Sequence, residues 1–183
     1  MPVPLPDPPL ADEAIRLVPL TAGHVPAVDA LARDDDVRAF TRFPREPSAE
    51  WAASWIGTYE EGAGNGSRAG FAIESHEGEF LGVGLLVHLE LEGRQGELGY
   101  ITGPAARGRG VATRTLRLLT DWAFAELGLE RIELWIDIAN AGSEREAERV
   151  GYAHEGVLRS YWVKEDMRRD IGIWSRLSTD PQP

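Results

Sequence analysis

The sequence predicts an α/β fold built on a mixed sheet with helices on its faces. Strand-like runs arrive first as a meander and then alternate with helical runs. Two of them, EFLGVGLLVHLEL (79–91) and RIELWIDI (131–138), alternate apolar residues at the period of a half-buried strand. With 183 residues and 43% hydrophobic content, the chain has enough material for one core and too little for two comfortable ones.

Taken in order, residues 1–10 are proline-rich and read as an extended, flexible arm, and 179–183 form a tail of the same style, leaving 11–178 as a single domain. IRLVPL (15–20) reads as a strand. Thr21 is placed to cap a helix that carries Val25, Val28, Leu31 and Ala32 on one stripe. Ser48 caps a second helical run with Trp51, Trp55 and Ile56, and GAGNGSRAG (62–70) reads as a glycine-rich turn. FAIE (71–74) and the 79–91 run then form a hairpin joined at SHEG, with Leu81, Val83, Leu85, Val87 and Leu89 on one buried face and His88 on the other. ELGYI (97–101) is the next strand, and a long helix follows over 113–127. In RIELWIDI, Ile132, Leu134, Ile136 and Ile138 oppose Arg131, Glu133, Trp135 and Asp137, the pattern of a strand covered on one side. Ser143 and Glu146 match a capping box for a short helix that Gly151 ends. Two last strands are expected at 152–158 and 170–177.

Composition narrows the function. A formal charge of -11 argues against general affinity for nucleic acid or anionic lipid and permits cationic partners. The absence of cysteine excludes a thiol nucleophile and a Cys-based metal site, and the four histidines have no ligand spacing, so no metal is expected. The proline-broken N-terminus resembles neither a secretion signal nor a membrane span, so the expectation is a cytoplasmic protein that engages no membrane.

The informative stretch is RGRGVA (107–112), set between a strand and a long helix. A helix start leaves its first NH groups bare at the positive end of the dipole, and glycines there let an anion approach the backbone. The stretch reads as a phosphate seat. It is not a P-loop, because no Lys and Ser/Thr follow the last glycine in place. Nor is it a dinucleotide fingerprint, because Thr113 stands at the third glycine position.

Arg107-Gly108-Arg109-Gly110-Val111-Ala112 is similar to the Q/R-x-x-G-x-G/A signature of the GNAT superfamily of N-acetyltransferases. Asn140-Ala-Gly-Ser143, Glu148-Arg-Val-Gly151-Tyr152, Glu155-Gly156-Val157-Leu158 and Arg169-Asp170 resemble, in that order, the second half of its RimJ/RimL branch, whose best-known members acetylate ribosomal-protein N-termini. The resemblance implies a GNAT fold, a mostly antiparallel sheet whose central strands splay apart. It implies acetyl-CoA as cosubstrate, with the amides from about Arg109 to Thr113 on the diphosphate. Gly108 and Gly110 would leave room there, and Arg107, Arg109 and Arg114 would offset charge. Pantetheine would pair with backbone near Tyr100 and Ile101 and with the side chain of Asn140.

The implied reaction passes an acetyl group directly to an amine, so a missing cysteine is no obstacle. An α-amine with a pKa of about 7.7 to 8.0 is roughly one-tenth neutral at pH 7, while a lysine is neutral only to a few parts in ten thousand. A protein N-terminus is therefore the first expected acceptor. By the same resemblance Glu97 is the candidate base, against a plain solvent-facing strand glutamate. Ser143 is the candidate to assist the leaving thiolate, against a plain N-cap. The oxyanion donor would be backbone NH near Tyr100 or Ile101. Two other readings stay open: an acyltransferase for a small amine (polyamine, aminoglycoside) or with a longer acyl-CoA, and a non-catalytic CoA-binding sensor. Relatives commonly dimerise, so a homodimer is a further expectation.

Overall fold

The structure is a computed structural model and describes residues 1–182. Eight strands form one sheet: β1 (Leu10–Ala11), β2 (Ile15–Pro19), β3 (Ala69–Ser75), β4 (Phe80–Glu90), β5 (Gln95–Thr102), β6 (Arg131–Asp137), β7 (Ala153–Lys164) and β8 (Met167–Leu177). Their order across the sheet is β1-β2-β3-β4-β5-β6-β8-β7, and only β5 and β6 run parallel. Helices α1 (Val25–Ala32), α2 (Asp35–Phe40) and α3 (Ala49–Asn65) lie on one face, and α4 (Val111–Ala125) and α5 (Ala141–Arg149) on the other. The expected α/β sheet with helices on both faces is present.

Each face has its own core. On the α4 side, Leu116, Leu119 and Trp122 pack on Leu86, Leu98, Ile132 and Leu134, all buried. On the other, Val28, Leu31, Ile56 and Tyr59 cover Ala72, Val83 and Leu85. The helix stripe expected at Val28, Leu31 and Ala32 is buried, and the Ser48 hydroxyl accepts from the Trp51 amide at 3.2 Å, as an N-cap should. Thr21 instead heads a single 3-10 turn, Ala22–His24, from which α1 continues.

Several expectations needed correction. The glycine-rich stretch 62–70 is not a turn throughout: α3 runs through Gly62 and Gly64 to Asn65 and stops at Gly66, whose φ is 87°. Gly62 packs closely, since a Cβ there would lie 2.1 Å from Arg68 Cγ. The alternation in β4 is not one face. Register shifts fall at both ends of the strand, so Leu81 and Leu89 join the α4-side core while Val83, Leu85 and Val87 join the other. Ile138 is left exposed beyond the end of β6. The last two strands are longer than read, and α2 was not foreseen. The proline-rich arm makes contacts of its own: Val3 is buried, and its amide donates to Ala63 O at 2.8 Å.

Candidate active site

The sheet opens where the two parallel strands meet. β5 and β6 are in register only at Gln95–Arg131, Gly96–Ile132 and Glu97–Glu133. Beyond that, Leu98–Thr102 follows β4 while Leu134–Asp137 follows β8. The β6-facing backbone edge of Leu98–Thr102, which includes Tyr100 and Ile101, therefore has no strand partner. Backbone NH and CO groups deprived of a ladder need other partners, and an extended chain laid in the gap would supply them.

The mouth of α4 stands at the open end of this gap. Gly108 and Gly110 have φ of 71° and 72°, a conformation that favours glycine, and a Cβ at either would meet nothing within 4 Å. Gly110 is the N-cap and offers no capping side chain. Among the described residues, the amides of Gly108, Gly110, Val111, Ala112 and Thr113 make no hydrogen bond, whereas Arg109 donates to Ala106 O at 3.4 Å. The Thr113 hydroxyl donates to Glu146, tying the first turn of α4 to α5.

The nearby arginines are not free. Arg107 pairs with Asp34 at 2.5 Å and Asp36 at 2.9 Å, and Arg114 with Asp12 at 2.8 Å and Glu13 at 2.6 Å. Arg109 reaches Ala105 O at 2.9 Å and Glu79 at 3.4 Å. The unpaired donors at the mouth are thus backbone amides, and an anion there would share the guanidinium groups with carboxylates.

On the α1–α3 side of the gap lies a cavity of about 940 Å³. Glu97, Gly99 and Ile101 of β5 line it, as their common parity requires, with Glu133, Trp135 and Asp137 of β6 and the aromatic rings of α3. The Glu97 side chain is 22% exposed, and burial, with Glu133 beside it and Arg42 opposing, pushes its carboxyl up to about 7. Glu133 itself is held by Arg131 Nε and Trp135 Nε1, each at 2.8 Å. His88 was expected on the face away from Val87. At the register shift in β4 it takes φ 47° and lines the same cavity, with Nε2 3.8 Å from a Glu97 oxygen and the ring 78% exposed. A carboxyl that titrates near neutrality, with an imidazole leading to solvent, can accept a proton from an ammonium and release it.

Ser143 does not cap α5. Asn140 does, its Oδ1 accepting from the Ser143 amide at 3.2 Å, while Glu146 is engaged by Thr113 and Arg149. This leaves the Ser143 hydroxyl without a capping duty and the Asn140 Nδ2 pair of donors without a protein partner among the described residues. The Tyr100 hydroxyl is buried beside the Ser143 hydroxyl and forms no hydrogen bond of good geometry. Burial pushes it up to about 12, while the neighbouring Ser143 hydroxyl acts in the opposite sense. A buried, unpartnered hydroxyl beside the gap is a donor that sequence reading missed, since Tyr100 had been weighed for its backbone alone.

Tyr152 is a core aromatic, its hydroxyl 2.7 Å from that of Thr120. Tyr161 and Trp162 wall the cavity, Tyr161 edge-on to Trp135 with ring centroids 5.2 Å apart. Among the described residues, no cluster of three metal-ligating side chains occurs, and no helix is long and apolar enough to cross a membrane.

Residues 14–153 match the family model described as "Acetyltransferase (GNAT) domain". The Bacillus subtilis (strain 168) protein "Putative ribosomal N-acetyltransferase YdaF" is 30% identical over 116 residues, which is 63% of this chain and 62% of that one. The spermidine N(1)-acetyltransferase of Escherichia coli (strain K12) is 30% identical over 114 residues, 62% of this chain and 61% of that one. The chain thus spans somewhat less than two thirds of the length of these two relatives. Among solved structures, RimL, the ribosomal L7/L12 α-N-protein acetyltransferase in complex with coenzyme A, superposes with a TM-score of 0.83 over 92% of this chain and 96% of that one, at 19% identity.

Proposed function

This chain belongs to the GNAT acetyltransferases, and from that premise we propose that it moves the acetyl group of acetyl-CoA directly to a primary amine, with the α-amine of a protein N-terminus as the acceptor. One observation carries the reading: a gap in the sheet has bare helix-start amides at its open end and a half-buried carboxyl of raised pKa at its closed end. Acetyl-CoA, when bound, supplies the acetyl group as a thioester.

The chain's own residues do the rest. The amides of Gly110, Val111, Ala112 and Thr113, with Gly108 and Arg109 before them, hold the diphosphate, and the positive end of α4 adds to the attraction. The free edge at Tyr100 and Ile101 pairs with the pantetheine amides, and Asn140 Nδ2 adds a donor from across the gap. Glu97 takes the proton from the incoming ammonium. Because an α-amine and this carboxyl titrate within about one pH unit of each other, the transfer is nearly balanced, whereas a lysine amine would lie about three units uphill. The backbone NH groups on the free edge of β5 would stabilise the oxyanion, and the Tyr100 hydroxyl, with Ser143 beside it, would give a proton to the thiolate as the carbon–sulfur bond breaks.

Thiol release from acetyl-CoA over a panel of peptides and amines tests this. Turnover with peptide N-termini supports it. Turnover only with small amines moves the acceptor to the second reading, and tight CoA binding without release by any acceptor makes the protein a sensor.

A further inference from the structure

The chain carries -11 overall, yet one region has the opposite sign. Seven of its 19 Lys and Arg lie in residues 38–45 and 159–169, against two acids, Glu165 and Asp166. The only lysine of the sequence, Lys164, is among them. The two segments meet at the rim of the main cavity, where a second cavity of about 500 Å³ shares Thr41, Arg42, Phe43 and Trp162 with the first and adds Arg45, Val163, Lys164 and one acid, Glu165.

Within the cluster Arg38 and Arg169 face Asp35 and Asp137, as Arg107, Arg114 and Arg131 face carboxylates elsewhere, whereas Arg42, Arg45 and Lys164 make no salt bridge among the described residues. Arg42 Cζ lies 5.6 Å from the centre of the Trp162 ring, and Lys164 Nζ lies 5.9 Å from it and donates to Thr41 O at 2.9 Å. Such contacts position a cation without neutralising it. Two carboxylates of the main cavity face arginines, Glu133 being bound by Arg131 and Trp135 and Asp137 lying 3.9 Å from Arg169, while Glu90 accepts from Gln95 Nε2 at 2.7 Å. Glu97, which receives the amine, makes no ion pair with an arginine, and at the rim Arg42, Arg45 and Lys164 hold no carboxylate, so the unneutralised positive charge lies at the rim of the acceptor cavity.

We propose that the acceptor is a peptide bearing an acidic side chain within its first few residues, its N-terminal amine in the main cavity and that carboxylate held in the annex by Arg42, Arg45 and Lys164. This rests on the acetyl-transfer reading and deepens it. The two cavities share four lining residues, so an extended peptide, advancing ~3.3 Å per residue, can pass from one into its neighbour. A polyamine, with several cations and no anion, would leave Arg42 and Arg45 unpaired and bring further positive charge against them.

The test uses two peptides with the same first residue, one continuing with Asp and Glu and one with Lys, together with spermidine. Thiol release gives kcat/KM, and quenching of the cavity tryptophans gives peptide affinity without turnover. The wild type is expected to favour the acidic peptide on the order of tenfold at low salt and less at high salt, as a rim ion pair is screened. Arg45→Glu should reverse the preference with acetyl-CoA affinity unchanged. It is a cleaner variant than one at Arg42, which also acts on Glu97. A wild type that prefers the lysine peptide or spermidine, or an Arg45→Glu protein with the wild-type preference, overturns the proposal. Failure of every acceptor to release thiol would defeat acetyl transfer itself, and the quenching titrations would still decide the charge preference.

Discussion

Replacing Glu97 by Gln should weaken catalysis and strengthen the fold, and the two effects should share one pH dependence. Burial raises the Glu97 carboxyl from 4.5 to about 7, so the folded protein holds this proton more tightly than the unfolded chain does. The stability linked to the neutral carboxyl is therefore complete below about 4.5 and has been lost once the pH passes about 7. At about 1.36 kcal/mol per tenfold change in proton concentration, the rise from 4.5 to about 7 corresponds to ~3 kcal/mol as an upper figure. Glutamine keeps a neutral side chain of the same shape at every pH. For a domain of this size, ~3 kcal/mol is roughly 6–12 °C in melting temperature. The assay is a pair of melting series from pH 4.5 to 8.5. The curves should coincide at the acid end and separate as the pH rises, with the variant the more stable. In parallel, kcat/KM of the wild type should climb through pH 7 as Glu97 loses its proton, and the variant should lose that limb while keeping its KM for acetyl-CoA. Melting curves that stay parallel at all pH values would show that Glu97 ionises freely. Unchanged turnover would remove it from the role of base.

Three further substitutions probe the rest of the site. Gly110→Ala forces a side chain into φ 72° and places a methyl where the diphosphate is proposed to sit; a stability loss of ~1 kcal/mol by melting should accompany a rise of roughly tenfold or more in KM for acetyl-CoA. Because Asn140 and not Ser143 caps α5, Ser143→Ala should leave stability within ~0.5 kcal/mol but lower kcat, while Asn140→Ala should cost ~1 kcal/mol and weaken acetyl-CoA binding as well. Tyr100→Phe deletes a buried hydroxyl that has no partner in the fold, so melting should be unchanged or raised while kcat falls; a clear loss of stability would mean the hydroxyl is hydrogen-bonded after all.

The glycine-opened start of α4 was legible because its signal is local. Two glycines at a helix start, Gly108 and Gly110, are needed at positive φ wherever the rest of the chain goes, and the apolar stripe of α4 follows from its own residues. Glu97 was singled out by the resemblance, against a plain solvent-facing strand glutamate, and its strand runs without a bulge, so it shares a face with Gly99 and Ile101 on the cavity. His88 was lost for the opposite reason: a bulge sets two residues against one on the partner strand, and an unbroken apolar alternation through Leu85, Val87 and Leu89 gives no sign of it. Ser143 and Glu146 matched a capping box, but Glu146 is drawn away by Thr113, 33 residues distant in the chain, a contact that only the fold can reveal. The raised pKa of Glu97 was equally out of reach, because it depends on what covers the carboxyl more than on its neighbours in sequence.

The central claim is that the α4 mouth and the free edge of β5 together seat one molecule of acetyl-CoA. Amide NMR spectra recorded on titration with CoA test it most directly. Large shifts at Gly108, Gly110, Val111, Ala112 and Thr113, joined by Tyr100 and Ile101 and saturating with a single affinity, are the predicted result. Saturable binding that moves other amides and leaves these in place would contradict it.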